Sequence, residues 1–155
     1  MRRIAVICVG NALVGDDAVG CAIFERLVGS PLPRCVGLEL LGVGGIGLLD
    51  RLSGEEALVM VDAVQFGATA GTVHVLARAD LPPAVRPVTS HGIGLREAIE
   101  LGEILFPERV PATAFLVGVE GRQFDRVGEG MTPAVAAAVE PAVRHVLDLA
   151  YRLSR

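Results

Sequence analysis

Lysine is absent from the 155-residue sequence, and serine occurs at only four positions. Without lysine the chain has no Walker-type phosphate-binding lysine, no Schiff-base nucleophile and no Ser-Lys dyad. Four serines and three histidines also leave little material for a serine triad. Any enzymatic chemistry must therefore come from carboxylates, from a few histidines or from the three cysteines.

The sequence also lacks paired cysteine motifs and clusters of basic residues. Cys8, Cys21 and Cys35 are odd in number and lack CxxC spacing, so neither a thiolate zinc site nor a disulfide framework is expected. We interpret Cys8 and Cys21 as core thiols rather than nucleophiles. Scattered arginines and a net charge of −4 predict no nucleic-acid partner. The first apolar run is too short for a signal-peptide core or a membrane span, which predicts a cytoplasmic protein with no membrane partner.

The remaining sequence predicts one domain over residues 1–155, because a typical domain has ~100–200 residues. Continuous apolar runs alternate with segments of helical periodicity, which is typical of a three-layer α/β/α domain with a mostly parallel sheet. The fourth of about five strands alternates and suits an antiparallel edge position. Predicted strands are Arg3–Val9, Cys35–Leu41, Glu56–Asp62, Gly71–Leu76 and Ala112–Val119; predicted helices begin at Asp16 or Asp17, Ile46, Leu95 and Pro133, the last with Thr132 as N-cap and a kink at Pro141.

Polar residues that follow strands are the candidates for a site, because open α/β sheets bind ligands beyond the carboxyl ends of their strands. Asp62 ends an apolar run, where a carboxylate either binds a metal or partner group or caps a nearby loop. Of Asp16 and Asp17, one can cap the next helix while the other points into the cleft. With His91, which stands in a loop before a helix, Asp17 and Asp62 form a ligand set suited to a divalent transition metal.

The loop that follows the first strand contains three regularly placed glycines and the only asparagine. Gly10, Gly15 and Gly20 indicate a backbone with unusual dihedral angles or close approach. Asn11 is expected to hold the turn through its side-chain amide.

Two alternatives to a metal-directed enzyme come from the same sequence. Gly42–Gly47 matches the GxGxxG dinucleotide pattern, and Asp62 follows at about the distance of a ribose-binding acid. This favours a small nucleotide-binding module, although it leaves Asp16 and Asp17 unexplained. A non-catalytic regulatory domain on the same fold is the other alternative.

The run Val9–Gly20 closely resembles the opening motif of the [NiFe]-hydrogenase maturation endopeptidases. The resemblance continues in order through nearly the whole chain, at Gly44-Gly45, Val61-Asp62-Ala63, Ser90-His91-Gly92, Leu116–Glu120 and Gly130–Pro133. No single piece is decisive, but the ordered set is specific.

The resemblance implies a compact α/β fold and an endopeptidase that removes a C-terminal extension from the hydrogenase large-subunit precursor after nickel insertion. The family's metal-binding carboxylates fall on Asp17 and Asp62, and its histidine falls on His91. These three residues would be catalytic and would recognise nickel that the precursor supplies. The family's glycine pair falls on Gly44 and Gly45, which would bind the substrate. A monomer is expected.

Overall fold

The computed structural model describes residues 3–42, 46–83 and 94–155. Its strands are β1 (Ile4–Val9), β2 (Val36–Leu41), β3 (Ala57–Val64), β4 (Val73–Ala77) and β5 (Thr113–Glu120). Its α-helices are α1 (Val19–Val28), α2 (Ile46–Leu49), α3 (Leu95–Leu105) and α4 (Pro133–Leu153), with single 3-10 turns at Gly15–Ala18 and Arg78–Asp80. Each predicted strand and helix is present, with ends shifted by a few residues. Helix α4 runs through Pro141 as one element.

The described strands form one sheet with the order β2-β1-β3-β5-β4. Pairs β1–β2, β1–β3 and β3–β5 are parallel, whereas β4 pairs antiparallel with β5 at the edge. This confirms the predicted mostly parallel sheet with an antiparallel edge strand. The chain moves from β1 to β2 on one side and then back to β3 on the other. The strand order therefore reverses between β1 and β3, which is where open sheets of this kind bind ligands.

Helices cover both faces of the sheet. Helices α1 and α4 pack on one face, against Val6, Cys8, Val61 and Val119 among others. Helices α2 and α3 pack on the opposite face, against residues that include Ile7, Met60, Val64 and Leu116. The two buried clusters confirm the expected three layers, since a sheet is stable when each apolar face is covered.

Strand register places Asp62 on the face that α2 and α3 cover. Side chains alternate along a strand, and Asp62 lies between Met60 and Val64, which both belong to that face. Asp62 and His74 are each in register with Gly118, so the two side chains project from the same face. The fold thus directs Asp62 toward the side from which α3 approaches.

Candidate functional site

Three glycines allow the turn after β1 to pack against the strand end. A side chain on Gly20 would overlap the carbonyl oxygen of Val9, and a Cβ on Gly10 would lie 2.6 Å from the carbonyl oxygen of Asp17. Gly15 has a φ of +42°, a conformation that favours glycine. The main chain is closely packed at Gly10 and Gly20, and Gly15 has a positive φ. Both findings confirm the prediction that the three glycines mark close approach or unusual dihedral angles.

Asn11 stabilises the same turn in the expected way. Its Oδ1 accepts a hydrogen bond from the main-chain N–H of Leu13 at 3.0 Å. The main-chain N–H of Asn11 donates to the carbonyl oxygen of Asp17 at 3.2 Å. The asparagine therefore links the strand end to the residue that carries the candidate carboxylate.

Asp16 does not cap a helix, and the prediction that one of the two adjacent acids is an N-cap was wrong. Neither the 3-10 turn nor α1 has a side-chain cap. Instead, the fully buried Asp16 carboxylate accepts bonds from the main-chain N–H groups of Arg122, Gln123 and Thr132 and from the Thr132 hydroxyl. Burial acts to raise the pKa of Asp16, but these hydrogen bonds outweigh it and lower the pKa below its usual value.

Thr132 precedes α4 as predicted, and Pro133 occupies the first helical turn. The hydroxyl of Thr132, however, makes no cap with its own helix. It donates to Asp16 Oδ1 at 2.8 Å. The expected local cap is replaced by a long-range contact with the turn after β1.

Asp17 and Asp62 lie on adjacent elements at the point where the strand order reverses. Each is only 2% exposed. The 3-10 turn that carries Asp17 packs against β3, the strand that carries Asp62. Asp62 lies two residues before the end of β3, and its Oδ1 accepts the main-chain N–H of Ala63 at 2.8 Å.

The other predicted site residues, His91, Gly44 and Gly45, lie outside the described residues. Within the described ranges, no cluster of three or more His, Cys, Asp or Glu side chains is arranged to hold a metal ion. Leu95, the first residue of α3, is buried against the same face as Asp62. Two of the three predicted ligands are therefore located.

Glu120 is a buried carboxylate to which the sequence pattern gave no role. Both of its carboxylate oxygens accept the main-chain N–H of Phe66, at 3.0 and 2.9 Å, and Oε1 also accepts that of Ala68 at 3.1 Å. His74 Nε2 lies 3.1 Å from the same oxygen, with the Phe66 ring packed edge-on against the imidazole. Glu120 could have been selected from the sequence because, like Asp62, it is an acidic residue at the end of an apolar strand.

Neither Cys8 nor Cys21 is an activated nucleophile. Cys8 is fully buried, and burial, with smaller contributions from Cys21 and Asp62, raises its pKa to about 12. The pKa of Cys21 is also raised, mainly by burial and then by Asp17 and Glu25. Because the thiolate is the nucleophilic form, both thiols are inert near neutral pH.

Comparison with known proteins identifies relatives over almost the full chain. The family model described as hydrogenase maturation protease matches residues 38–149. The Hydrogenase 2 maturation protease of Escherichia coli is 32% identical over 148 residues, covering 94% of this chain and 88% of the relative. The hydrogenase expression/formation protein HupD of Rhodobacter capsulatus is 30% identical over 145 residues, covering 92% of this chain and 68% of the relative.

Solved structures show the same similarity in three dimensions. The hydrogenase maturating endopeptidase HybD from Escherichia coli superimposes with a TM-score of 0.77 at 30% identity, covering 97% of this chain and 93% of its own. An endopeptidase from Escherichia coli, solved in solution, gives a TM-score of 0.79 at 33% identity, with coverage of 98% and 93%. Among the helices described for this chain, none is long and apolar enough to cross a membrane.

Proposed function

The chain belongs to the hydrogenase maturation protease family, and from this premise we propose that it removes the C-terminal extension of a [NiFe]-hydrogenase large-subunit precursor. The cut follows nickel insertion, and the enzyme recognises the nickel already bound in the precursor. The metal thus arrives with the substrate and is not a resident cofactor of the free enzyme. We expect the reaction to take place in the cytoplasm, with the enzyme as a monomer.

The observation that carries this proposal is the placement of Asp17 and Asp62. Two carboxylates, each 2% exposed, occupy neighbouring elements at the ligand-binding reversal of the sheet. Buried carboxylates are costly unless charged or hydrogen-bonding partners offset the lost hydration. Carboxylate and imidazole ligands suit a divalent transition metal, so Asp17, Asp62 and His91 together would bind the nickel of the precursor.

Metal recognition also supplies a mechanism that needs no protein nucleophile. Contact between these side chains and the bound nickel would hold the scissile bond in a fixed position beside water. Nickel can polarise the scissile carbonyl or a water molecule as a Lewis acid. The raised pKa of Cys8 and of Cys21 agrees with hydrolysis by water rather than by a thiolate.

Gly44 and Gly45 would contact the extended C-terminal segment of the precursor. They follow β2, whose last residue, Leu41, lies at the same carboxyl edge of the sheet as the end of β1. Main-chain groups near glycine can pair with an extended peptide in the manner of strand addition. This assignment gives the GxGxxG match a role other than nucleotide binding.

The test is incubation of the enzyme with nickel-loaded and nickel-free precursor, followed by mass spectrometry of the precursor. We expect a mass loss at the C-terminus only for the nickel-loaded form. Asp17→Ala and Asp62→Ala should each abolish it, because each removes one metal-binding carboxylate. Asp148→Ala is the matched control, since Asp148 is an exposed carboxylate near the far end of α4 and should leave cleavage unchanged.

Cleavage of nickel-free precursor at the same rate would refute nickel recognition, and full activity of Asp62→Ala would refute the assigned carboxylates. Titration with NAD and NADP addresses the nucleotide-binding alternative. The proposal predicts no saturable binding of either dinucleotide.

A further inference from the structure

The Asp16 carboxylate joins two segments that lie beyond the carboxyl ends of β1 and β5. Its Oδ2 accepts the main-chain N–H groups of Arg122 and Gln123, at 2.8 and 3.0 Å. Its Oδ1 accepts the main-chain N–H and the hydroxyl of Thr132, at 2.7 and 2.8 Å. All four partners are donors, and the side chain is 0% exposed.

An amide cannot replace this carboxylate. Asparagine has the same shape, but its NH₂ group would face either the N–H groups of Arg122 and Gln123 or the N–H group of Thr132, and it can accept a hydrogen bond from none of them. The donors left without an acceptor would then be buried, which costs more than the loss of a solvated hydrogen bond. The site therefore requires an ionised acid at this position and not merely a side chain of the right size.

Further contacts make the two segments a single unit. The main-chain N–H of Asp16 donates to the carbonyl oxygen of Gln123 at 2.8 Å, and that of Gly128 donates to Leu13 at 2.8 Å. Val14 and Val127 form an isolated antiparallel bridge. Residues 11–17 and 121–132 are therefore fixed against each other, with Asp16 at the buried end of the contact.

We propose that Asp16 is a positioning residue for the proteolytic reaction, because its hydrogen bonds fix the turn that orients Asp17. Successive residues of a 3-10 turn differ in direction by about 120°, so holding Asp16 against residues 122–132 also sets the direction of the Asp17 side chain. The Asn11–Asp17 hydrogen bond fixes the other side of the same turn. The inference rests on the proposed role of Asp17 in binding the nickel of the precursor.

A positioning role and a purely structural role predict different kinetics. Loss of stability alone lowers the folded fraction and leaves the kcat of the folded enzyme unchanged. Misplacement of Asp17 lowers kcat even in fully folded enzyme, because displacement of a catalytic group by about 1 Å can cost ~100-fold in rate. The decisive quantity is therefore kcat with saturating nickel-loaded precursor, measured well below the melting temperature.

The experiment compares wild type, Asp16→Asn and Val146→Ala under those conditions. Val146 is 0% exposed in α4, in the core beside α1, so its truncation is a control for lost stability. We expect Asp16→Asn to lower kcat about tenfold or more, while Val146→Ala keeps the wild-type kcat. A kcat for folded Asp16→Asn within about twofold of wild type would overturn the inference.

Thr132 provides a second route if Asp16→Asn fails to fold. Thr132→Val removes only the hydroxyl donor, whereas Thr132→Ser keeps it. We expect an approximately threefold lower kcat for Thr132→Val and recovery of the wild-type value for Thr132→Ser. Equal kcat values for both variants would contradict the inference. Full activity of Asp17→Ala would instead refute the proposed function, so the two failures are separable.

Discussion

Four carboxylates in the described part of the chain are almost completely buried, and they fall into two groups. Asp16 and Glu120 accept main-chain N–H groups from loops with both of their oxygens. Asp17 and Asp62 lie where the strand order reverses. Position in the fold thus separates two groups of buried acids that residue type alone does not distinguish. The anchoring acids stabilise the loops around the candidate catalytic acids.

Gly20 is expected to tolerate no larger residue. A Cβ there would overlap the carbonyl oxygen of Val9, and main-chain atoms cannot move aside without separating α1 from β1. We predict that Gly20→Ala lowers the free energy of unfolding by about 3 kcal/mol or more, measured by urea denaturation. Gly47→Ala is the control, because a Cβ at Gly47 meets nothing within 4 Å. Similar stability of both variants would contradict the close packing.

Cys8 should make the protein less stable in alkaline solution. Burial raises its pKa from 9.0 to about 12, so above pH ~9 the thiol ionises in the unfolded chain but stays protonated in the folded one. The unfolded state then binds fewer protons, and the free energy of unfolding falls by about 1.4 kcal/mol per pH unit until the folded pKa is approached. Urea denaturation between pH 8 and 11 should show this excess slope in wild type and not in Cys8→Ala. Equal slopes would refute a buried, protonated thiol.

Among the elements, those with a local pattern were predicted well. The buried strands and α3 follow from continuous apolar runs and from helical periodicity, and α3 begins at the predicted residue Leu95. The roles of Asp16 and Glu120 were not predicted, because their hydrogen-bond partners lie 46 or more residues away along the chain. Spacing patterns along the sequence cannot identify hydrogen-bond partners that are so far apart in the chain. Asp17 and Asp62 became candidates because strand ends meet at a common edge of the sheet and because the family motif falls on them.

The connection between β3 and β4 depends on one such long-range anchor. Glu120→Gln would replace one of the two acceptor oxygens with an NH₂ group, which cannot accept the main-chain N–H of Phe66 that lies 3.0 and 2.9 Å from the two oxygens. We predict a loss of about 2–4 kcal/mol in the free energy of unfolding and faster amide hydrogen exchange at Phe66 and Ala68. Glu103→Gln, which changes a surface ion pair with Arg78, is the control and should cost less than about 1 kcal/mol. Unchanged exchange at Phe66 would rule out the anchoring role.

At the scale of the molecule, one sheet is shared by two packed helical layers. Alternate residues of each strand pack on opposite faces of the sheet. If either helical layer separated from the sheet, the apolar residues on that face of every strand would be exposed to solvent. The described residues are therefore expected to unfold together. The carboxyl edge of the sheet gathers the loops that hold both the anchoring and the candidate catalytic acids.

Tyr151 offers a direct probe of this coupling. It is the only tyrosine in a sequence without tryptophan, and its hydroxyl donates to the carbonyl oxygen of Pro31 at 2.6 Å. We predict that tyrosine fluorescence, which reports the α4 side, and far-ultraviolet circular dichroism give the same urea midpoint. Midpoints that differ would show that the two sides of the sheet unfold separately and would count against a single domain.

The adjacency of Asp16 and Asp17 in one tight turn has a consequence for insertions and deletions. Removing one residue before Gly15 would rotate the turn by about a third of a revolution. A different carboxylate from Asp16 would then face residues 122–132, although both acidic residues would still be present in the sequence. An engineered or diverged variant therefore has to preserve the length of this loop as well as its composition.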